Sequence, residues 1–323
     1  MARADWQAAL PDHACALQQS WQFGAAAAAM GRQVQRAELL LDGQRGLVQM
    51  ICRRLGPLNI AYLARGPIWD DPTRHSSEAL RLIRQTVPGR AALMLCAPEL
   101  NEPALLPLMT APYMAELRLT DDPTTMRRAM HGKWRNRLVR AEKKGVTVDA
   151  STPNRSALDC IIDKDRAQRR ARGYRSLPPA FLHAWQRTGR SGMRLYQAQS
   201  HGETLAAMLF LDHAPGVTYQ IGWTSDAGRA ASAHHLILWT AMQDFAGKGR
   251  KRLDLGPLDT VATPGLARFK LGAGAQARVL GTSGPCLPGM PGWPWQNTAG
   301  QPRGIRSHFP GVRAFLTRNL RND

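Results

Sequence analysis

Nowhere does this chain hold the roughly 20 consecutive apolar residues that a membrane-spanning helix needs; its small apolar run, GAAAAAM at 24–30, is far too short. The amino-terminal stretch MARADWQAALPDHAC lacks the apolar centre of a secretory signal. Cysteine is scarce as well: Cys15, Cys52, Cys96, Cys160 and Cys286 are an odd number, scattered with no CxxC spacing. That argues against a disulfide framework, which a chain of this length does not need, and for reduced thiols in a cytoplasmic setting. The nine histidines form no HExxH motif and pair with no cysteine, so zinc is not indicated. With no GxSxG elbow, a serine-bound acyl intermediate has no support either.

Acidic residues are the other shortfall. Against 43 Lys and Arg stand 24 Asp and Glu, and the excess is local: Arg127 to Arg175 carries 15 cations and 5 anions, +10 of the total +19. Such a field concentrates phosphate-bearing partners, whether nucleic acid, nucleotide sugars, coenzyme A or anionic lipid headgroups. With 323 residues, 44% of them hydrophobic, the chain has the length for two domains and the composition to fold.

Two segments repeat one order of elements. In the first, an Ala-rich helix ends near Gly31, RAELLLDGQRGLVQMICRRL reads as strand, Asp42-Gly43 turn and strand, and LNIAYLARGPIWDD as a third strand and loop. SSEALRLIRQTVPG then reads as a helix and AALMLCA as a strand. In the second, FLHAWQRTG closes a helix, MRLYQAQSHGETLAAMLFLD turns at His201-Gly202, VTYQIGWTSD is a strand and loop, HHLILWTAMQDFAGKG a helix, and KRLDLG a strand. Helix, hairpin, strand, helix, strand is the layout of an N-acetyltransferase core, so the order predicts two such folds in tandem.

Between the repeats, Asp122-Pro123 starts a helix on which Met126, Met130, Trp134 and Leu138 recur every four residues as the buried stripe. Its other faces carry Arg127, Arg128, Lys133, Arg135, Arg137, Arg140, Lys143 and Lys144. Arg135 and Lys143 stand eight residues apart, two turns along one face, and both can reach a single polyanion. A second helix, LDCIIDKDRAQRRARGYR, adds Arg169, Arg170, Arg172 and Arg175. The expected boundaries are 1–120 for the first domain, 121–150 for the basic helix, 151–283 for the second domain and 284–323 for a Pro/Gly-rich tail with a short C-terminal helix. The tail is read as packed on the body, a peripheral contact with the inner membrane face being the alternative.

Three stretches, ARGPIWDD (64–71), KWRNRLVRAEKKGV (133–146) and LDLGPLDTVATPGLARFKLGAGA (253–275), together resemble the Fem-type peptidyltransferases of the tandem GNAT-like acyltransferase superfamily. The resemblance runs over roughly residues 20–282. It implies an α/β fold (α+β in segregation) of two tandem GNAT-like acyltransferase domains, with mixed central sheets flanked by helices. It also implies transfer of an activated aminoacyl or acyl group to an amine on a phosphate-bearing small-molecule or lipid-linked acceptor such as a peptidoglycan precursor. No tightly bound cofactor is expected; aminoacyl-tRNA or acyl-CoA is the co-substrate, and DNA is not a partner.

On this reading Lys270, in ARFKLGAGA after Phe269, supports negative charge at the reaction centre; the bland alternative is a surface lysine beside a Gly turn. Asp254, in RLDLG, takes part in accepting the amine proton or caps turn amides, and Asp259 is a weaker candidate of the same kind. Arg65 binds phosphate or carboxylate, or forms a structural ion pair; Trp69 beside it stacks on a base or sugar, or packs in the core. Trp134 is read as core rather than a stacking platform, and Tyr219 and Trp223 in YQIGW likewise, with Tyr219 kept as a substrate-contact candidate. Where coenzyme A-using relatives carry a Q/R-x-x-G-x-G/A phosphate cradle, this chain has Arg229-Ala-Ala-Ser232-Ala-His234. Ser232 and His234 replace both glycines, which lowers the case for a coenzyme A donor. Two alternatives stand beside tRNA-dependent transfer: an acyl-CoA- or acyl-carrier-protein-dependent N-acyltransferase in surface polysaccharide or lipid metabolism, and a non-catalytic RNA-binding module.

Overall fold

The computed structural model describes residues 2–14, 16–71, 82–83, 85–87, 92–99, 108–172, 177–189 and 192–286. Most of the helix expected at 76–89, the tail beyond residue 286, and Arg175 lie outside the described residues. Among the described residues two compact units form: the first lies within 1–34, 116–256 and 272–276, the second within 35–115, 257–271 and 277–286. No helix among the described residues is long and apolar enough to cross a membrane.

The second unit is built on a hairpin of β1 (Gln33–Leu41) and β2 (Gln44–Leu55). Asp42 and Gly43 both take positive φ, the two-residue turn whose twist suits paired strands. β3 (Leu58–Ala64) runs antiparallel to β2, and β5 (Ala92–Cys96) runs parallel to β3 in unbroken register from Ile60↔Ala92 to Ala64↔Cys96. β4 (Ile68–Trp69) pairs with β2, and β13 (Gly284–Cys286) closes the far edge, giving the order β1-β2-β3-β5-β13. Alternation puts Val48, Met50 and Cys52 on the face that packs with Leu63, Ile83, Leu93 and Leu95.

The first unit has a sheet ordered β12-β6-β11-β10-β9-β8-β7. Its strands are β6 (Tyr113–Arg118), β7 (Thr147–Ser151), β8 (Met193–Ser200), β9 (Glu203–Asp212), β10 (Gly216–Thr224), β11 (Arg252–Pro257) and β12 (Gln276–Val279). β8 and β9 turn at His201-Gly202, again with both residues at positive φ. Its helices are α1 (Arg3–Ala9), α2 (Trp21–Ala29), α3 (Pro123–Ala129), α4 (Gly132–Lys143), α5 (Arg155–Arg172), α6 (Pro179–Gly189), α7 (Asp226–Ala230) and α8 (Ala233–Gly247). Apolar on nearly every side, α8 lies on β8, β9 and β10 and is covered by α4. The hairpin, third antiparallel strand and parallel strand thus recur in both units, as the tandem reading predicts.

Residues 1–34 fold with the second repeat. Phe23 of α2 meets Phe181 of α6 with ring centroids 4.9 Å apart, and Gln22 Nε2 donates to Thr188 Oγ1 at 2.8 Å. The basic helix also differs from expectation in one respect. Met126, Met130, Trp134 and Leu138 are all buried, as the four-residue spacing predicts, but the helix breaks at Met130-His131, whose ψ angles of 144° and 145° are extended. The break turns His131 N–H toward Gly272 O, to which it donates at 2.9 Å, so a tertiary hydrogen bond replaces one turn of helix. Asp122 caps α3 through Thr124 N and Thr125 N.

Candidate active site at the fork of β10 and β11

In the first unit the last parallel pair does not stay closed. β10 and β11 are in register only over Gly216↔Arg252, Val217↔Leu253 and Thr218↔Asp254. An irregularity between Tyr219 and Ile221 inserts Gln220 against β9 and bends β10 away. A parallel sheet that opens at the carboxyl ends of its strands makes a crevice in which ligands bind. Asp254 stands at the base of this fork. It is 3% exposed, and its Oδ1 accepts from Gly256 N at 2.7 Å, the turn-capping role that was one of its two sequence readings.

Above the fork, Ser225 caps α7 by accepting from Gly228 N at 3.0 Å; a side chain at Gly228 would run into Leu205 O. The chain then enters α8 through Ser232, whose φ of 58° and ψ of 32° are the left-handed conformation that a glycine takes without strain. So one glycine of the cradle pattern is missing as a residue but kept as a conformation. Ser232 makes no side-chain cap, and the start of α8 presents main-chain N–H groups and the positive end of the helix dipole. His234 and His235 part ways as adjacent helical residues must. His234 Nε2 bonds to Trp223 O at 2.8 Å, while His235 is buried with its ring 4.8 Å from that of Trp134. Burial, and then Arg137 and His234 nearby, hold the His235 imidazole down to about 4, so it is neutral at pH 7.

The cations of α3, α4 and the residue that follows α4 divide into two sets. Arg127 binds Glu142 through both terminal nitrogens (3.0 and 2.9 Å) and lies 5.6 Å over the Trp239 ring, and Lys144 Nζ donates to Ala230 O at 3.2 Å. Arg128, Arg135, Arg137, Arg140 and Lys143 have no carboxylate partner among the described residues. Since Trp134 meets His235 and Lys144 meets Ala230, α4 runs beside the start of α8. Arg135 is half-buried and Lys143 exposed.

Sequence reasoning missed one wall of the fork. α5 packs on β10, where Lys164 Nζ lies 3.3 Å from the centroid of the Trp223 ring and Gln168 Nε2 donates to Gly222 O at 2.7 Å. Asp165 on the same helix is 2% exposed. The signal was present: Leu158, Ile161 and Ile162 mark the buried stripe, and Asp165 continues it with a carboxylate. Tyr219 and Trp223 are half-buried at the bulge rather than core residues, Tyr219 with its ring 5.7 Å from Phe210 and its hydroxyl over Gly222.

The remaining candidates belong to the second unit. Lys270, on α9 (Pro264–Gly272), is 4% exposed, and Nζ donates to Pro257 O at 2.8 Å; Phe269 beside it is half-buried. That burial is not what a surface lysine beside a Gly turn would show. Asp259 accepts from Val261 N (2.9 Å) and Ala262 N (2.7 Å), a turn cap ahead of α9. Arg65 is buried at a φ of 58° and donates Nε–H to Glu99 Oε1 at 2.6 Å, with Arg278 on the other oxygen of Glu99. Trp69 is buried, its ring over Gly46.

Residues 127–271 match the family model described as an acetyltransferase (GNAT) domain. No curated protein matches the sequence significantly. Among solved structures, FemX is similar over 88% of this chain and 95% of its own, with a TM-score of 0.71 at 14% identity. A conserved protein of unknown function from Bacteroides thetaiotaomicron VPI-5482 is similar over 89% of this chain and 98% of its own, with a TM-score of 0.56 at 13% identity. At such identities the likeness is one of fold. A binding module without chemistry does not fit a catalytic-domain match that spans the fork, the start of α8 and Lys270. Residues 127–271 thus carry an acetyltransferase domain of the GNAT type, and the fold of the chain is like that of FemX.

Proposed function

We propose that this protein moves an aminoacyl group from the end of a tRNA onto an amine of a phosphate-bearing acceptor, a nucleotide- or lipid-linked peptidoglycan precursor being the first specific choice. The observation that carries this reading is the set of five cations along α3 and α4, without carboxylate partners among the described residues, beside the amino end of α8. From Arg135 to Lys143 the helix rises about 12 Å, the reach of three to four phosphates at about 3.4 Å per strand of a duplex. A single pyrophosphate needs no such row. Guanidinium forks bind phosphate in pairs of hydrogen bonds, and lysine follows as a movable point charge.

In the reaction, the acceptor amine attacks the ester carbonyl directly, held in the fork so that encounter costs little entropy; the amide C–N bond forms, the ester C–O bond breaks, and the ribose oxygen of the tRNA end leaves as a hydroxyl with a proton that replaces the one the amine loses. Lys270 supports the negative charge that develops on the carbonyl oxygen, and Asp254 orients the amine or takes part in removing its proton. A second reading keeps the chemistry and changes the donor to an acyl thioester. The left-handed backbone of Ser232 favours it, because that residue takes the conformation of the glycine it replaces.

Ribonuclease treatment separates the two: it abolishes transfer from a tRNA donor and leaves thioester-driven transfer intact. Full activity with acetyl-CoA and no RNA overturns the first reading. For the chemistry, Lys270→Met lowers kcat/KM by about 30-fold or more, since charge stabilisation of this kind contributes at least about 2 kcal/mol. Wild-type turnover in that variant removes Lys270 from the mechanism.

A further inference from the structure

The edge that β10 turns toward the fork is closed by side chains. Ser225 N donates to Leu205 O at 2.9 Å, and Trp223 stands opposite Ala207. In an antiparallel pair alternate residues face the partner strand, so the main-chain groups of Trp223 and Ser225 face β9. Those of Gly222 and Thr224 face the other edge, beyond the last residues that pair with β11. Carbonyls given up by a departing strand require other donors. Gly222 O receives Gln168 Nε2 from α5 at 2.7 Å, and Thr224 O receives Arg229 Nη1 from α7 at 3.0 Å. Trp223 O, between them, receives His234 Nε2 from α8. Three successive carbonyls therefore carry donors from three helices.

Of these, Gln168 bears on the entrance. An extended arm that carries amides enters an open fork most readily by adding to the free strand edge as one more strand. The Gly222 carbonyl, which faces that edge, is the acceptor such an arm would use. We infer that Gln168 is a specificity-determining residue: its carboxamide holds the Gly222 carbonyl and so shuts the fork to donors that arrive on an amide-bearing arm, pantetheine thioesters among them. This rests on the reading of the donor as a polyanion gripped by its phosphates, which needs no such arm. Lys164, one turn before Gln168 on α5, seats the helix at this edge by lying on Trp223.

The test titrates the full chain and its Gln168→Ala variant with two probes by calorimetry: pantetheine, which is the arm without phosphates, and 3′,5′-ADP, which is phosphates without the arm. The variant binds pantetheine about tenfold or more tighter than the wild type, the worth of one or two hydrogen bonds, and both proteins bind 3′,5′-ADP alike. Equal affinity for pantetheine in the two proteins, including no binding in either, overturns the role of Gln168. Failure of both to bind 3′,5′-ADP counts against the phosphate reading alone, because pantetheine carries no phosphate. If thermal melting shows Gln168→Ala misfolded, Gln168→Met, which keeps volume and cannot donate, takes its place under the same criteria.

Discussion

His235 makes stability depend on pH. Its imidazole is depressed to about 4 in the folded chain from an ordinary value near 6.5, so as pH falls the unfolded chain takes up the proton first. The stabilisation is complete above about pH 6.5 and is lost progressively as pH falls toward 4, a change on the order of 3 kcal/mol. Urea unfolding at pH 7, 5.5 and 4 measures this, and His235→Phe, which keeps a ring against Trp134, removes most of the slope between pH 6.5 and 4. An unaltered slope in that variant means the dependence arises elsewhere. At this scale the sequence was informative about residue type and weak on environment. Two adjacent histidines on a helix must diverge, which is legible; that one would be buried against Trp134 depends on a helix a hundred residues earlier. Lys270 and Asp254 stood out by motif, and the turn cap of Asp254 on Gly256 N was legible as a local pattern, whereas the burial of both side chains depends on packing that the local sequence does not encode.

Helices α3 and α4 show the same division one level up. The four-residue spacing of Met126, Met130, Trp134 and Leu138 identifies four buried residues and leaves out Ala141, and the pattern cannot register the break at His131, because what replaces the lost turn is Gly272 O, distant in sequence. The same glycine leaves room for Trp134: a Cβ at position 272 would lie 2.9 Å from Trp134 Cδ1. Gly272→Ala therefore costs about 1–3 kcal/mol through overpacking, with α4 displaced from α8. Chemical denaturation checks the energy, and the fluorescence of Trp134 reports the displacement; an unchanged midpoint would mean the ring shifts freely. The fork was legible only as a possibility of the fold. Both repeats end in a parallel pair, but β3 and β5 remain zipped over five residues while β10 and β11 part after three, and the inserted Gln220 that parts them carries no sequence mark.

For the whole molecule, +10 of the +19 charge falls in residues 127–175, which include the row where the donor is proposed to bind, and that gives a salt dependence. If the five cations of α3 and α4 each displace a counterion, log(kcat/KM) for a tRNA donor falls against log[salt] with a slope of about −4. The double variant Arg140→Glu, Lys143→Glu weakens that slope by about 2, as measured by initial rates between 50 and 300 mM salt, and leaves the melting temperature little changed because both residues are exposed. A wild-type slope shallower than about −1 contradicts phosphate recognition by this row. The tandem plan was readable from the order of elements, whereas the membership of residues 1–34 was not, since their partners lie so far along the chain. That placement has a consequence for biosynthesis. Gln22 and the residues it bonds on α6 are up to 166 positions apart, and at about 5–20 residues per second the leading segment waits roughly 8–33 s after leaving the ribosome before α6 exists to receive it. During that interval Phe23 lacks the Phe181 ring that covers it in the folded chain, so a nascent-chain holdase, or a bulky fusion placed ahead of α2, acts on this protein at its most vulnerable moment.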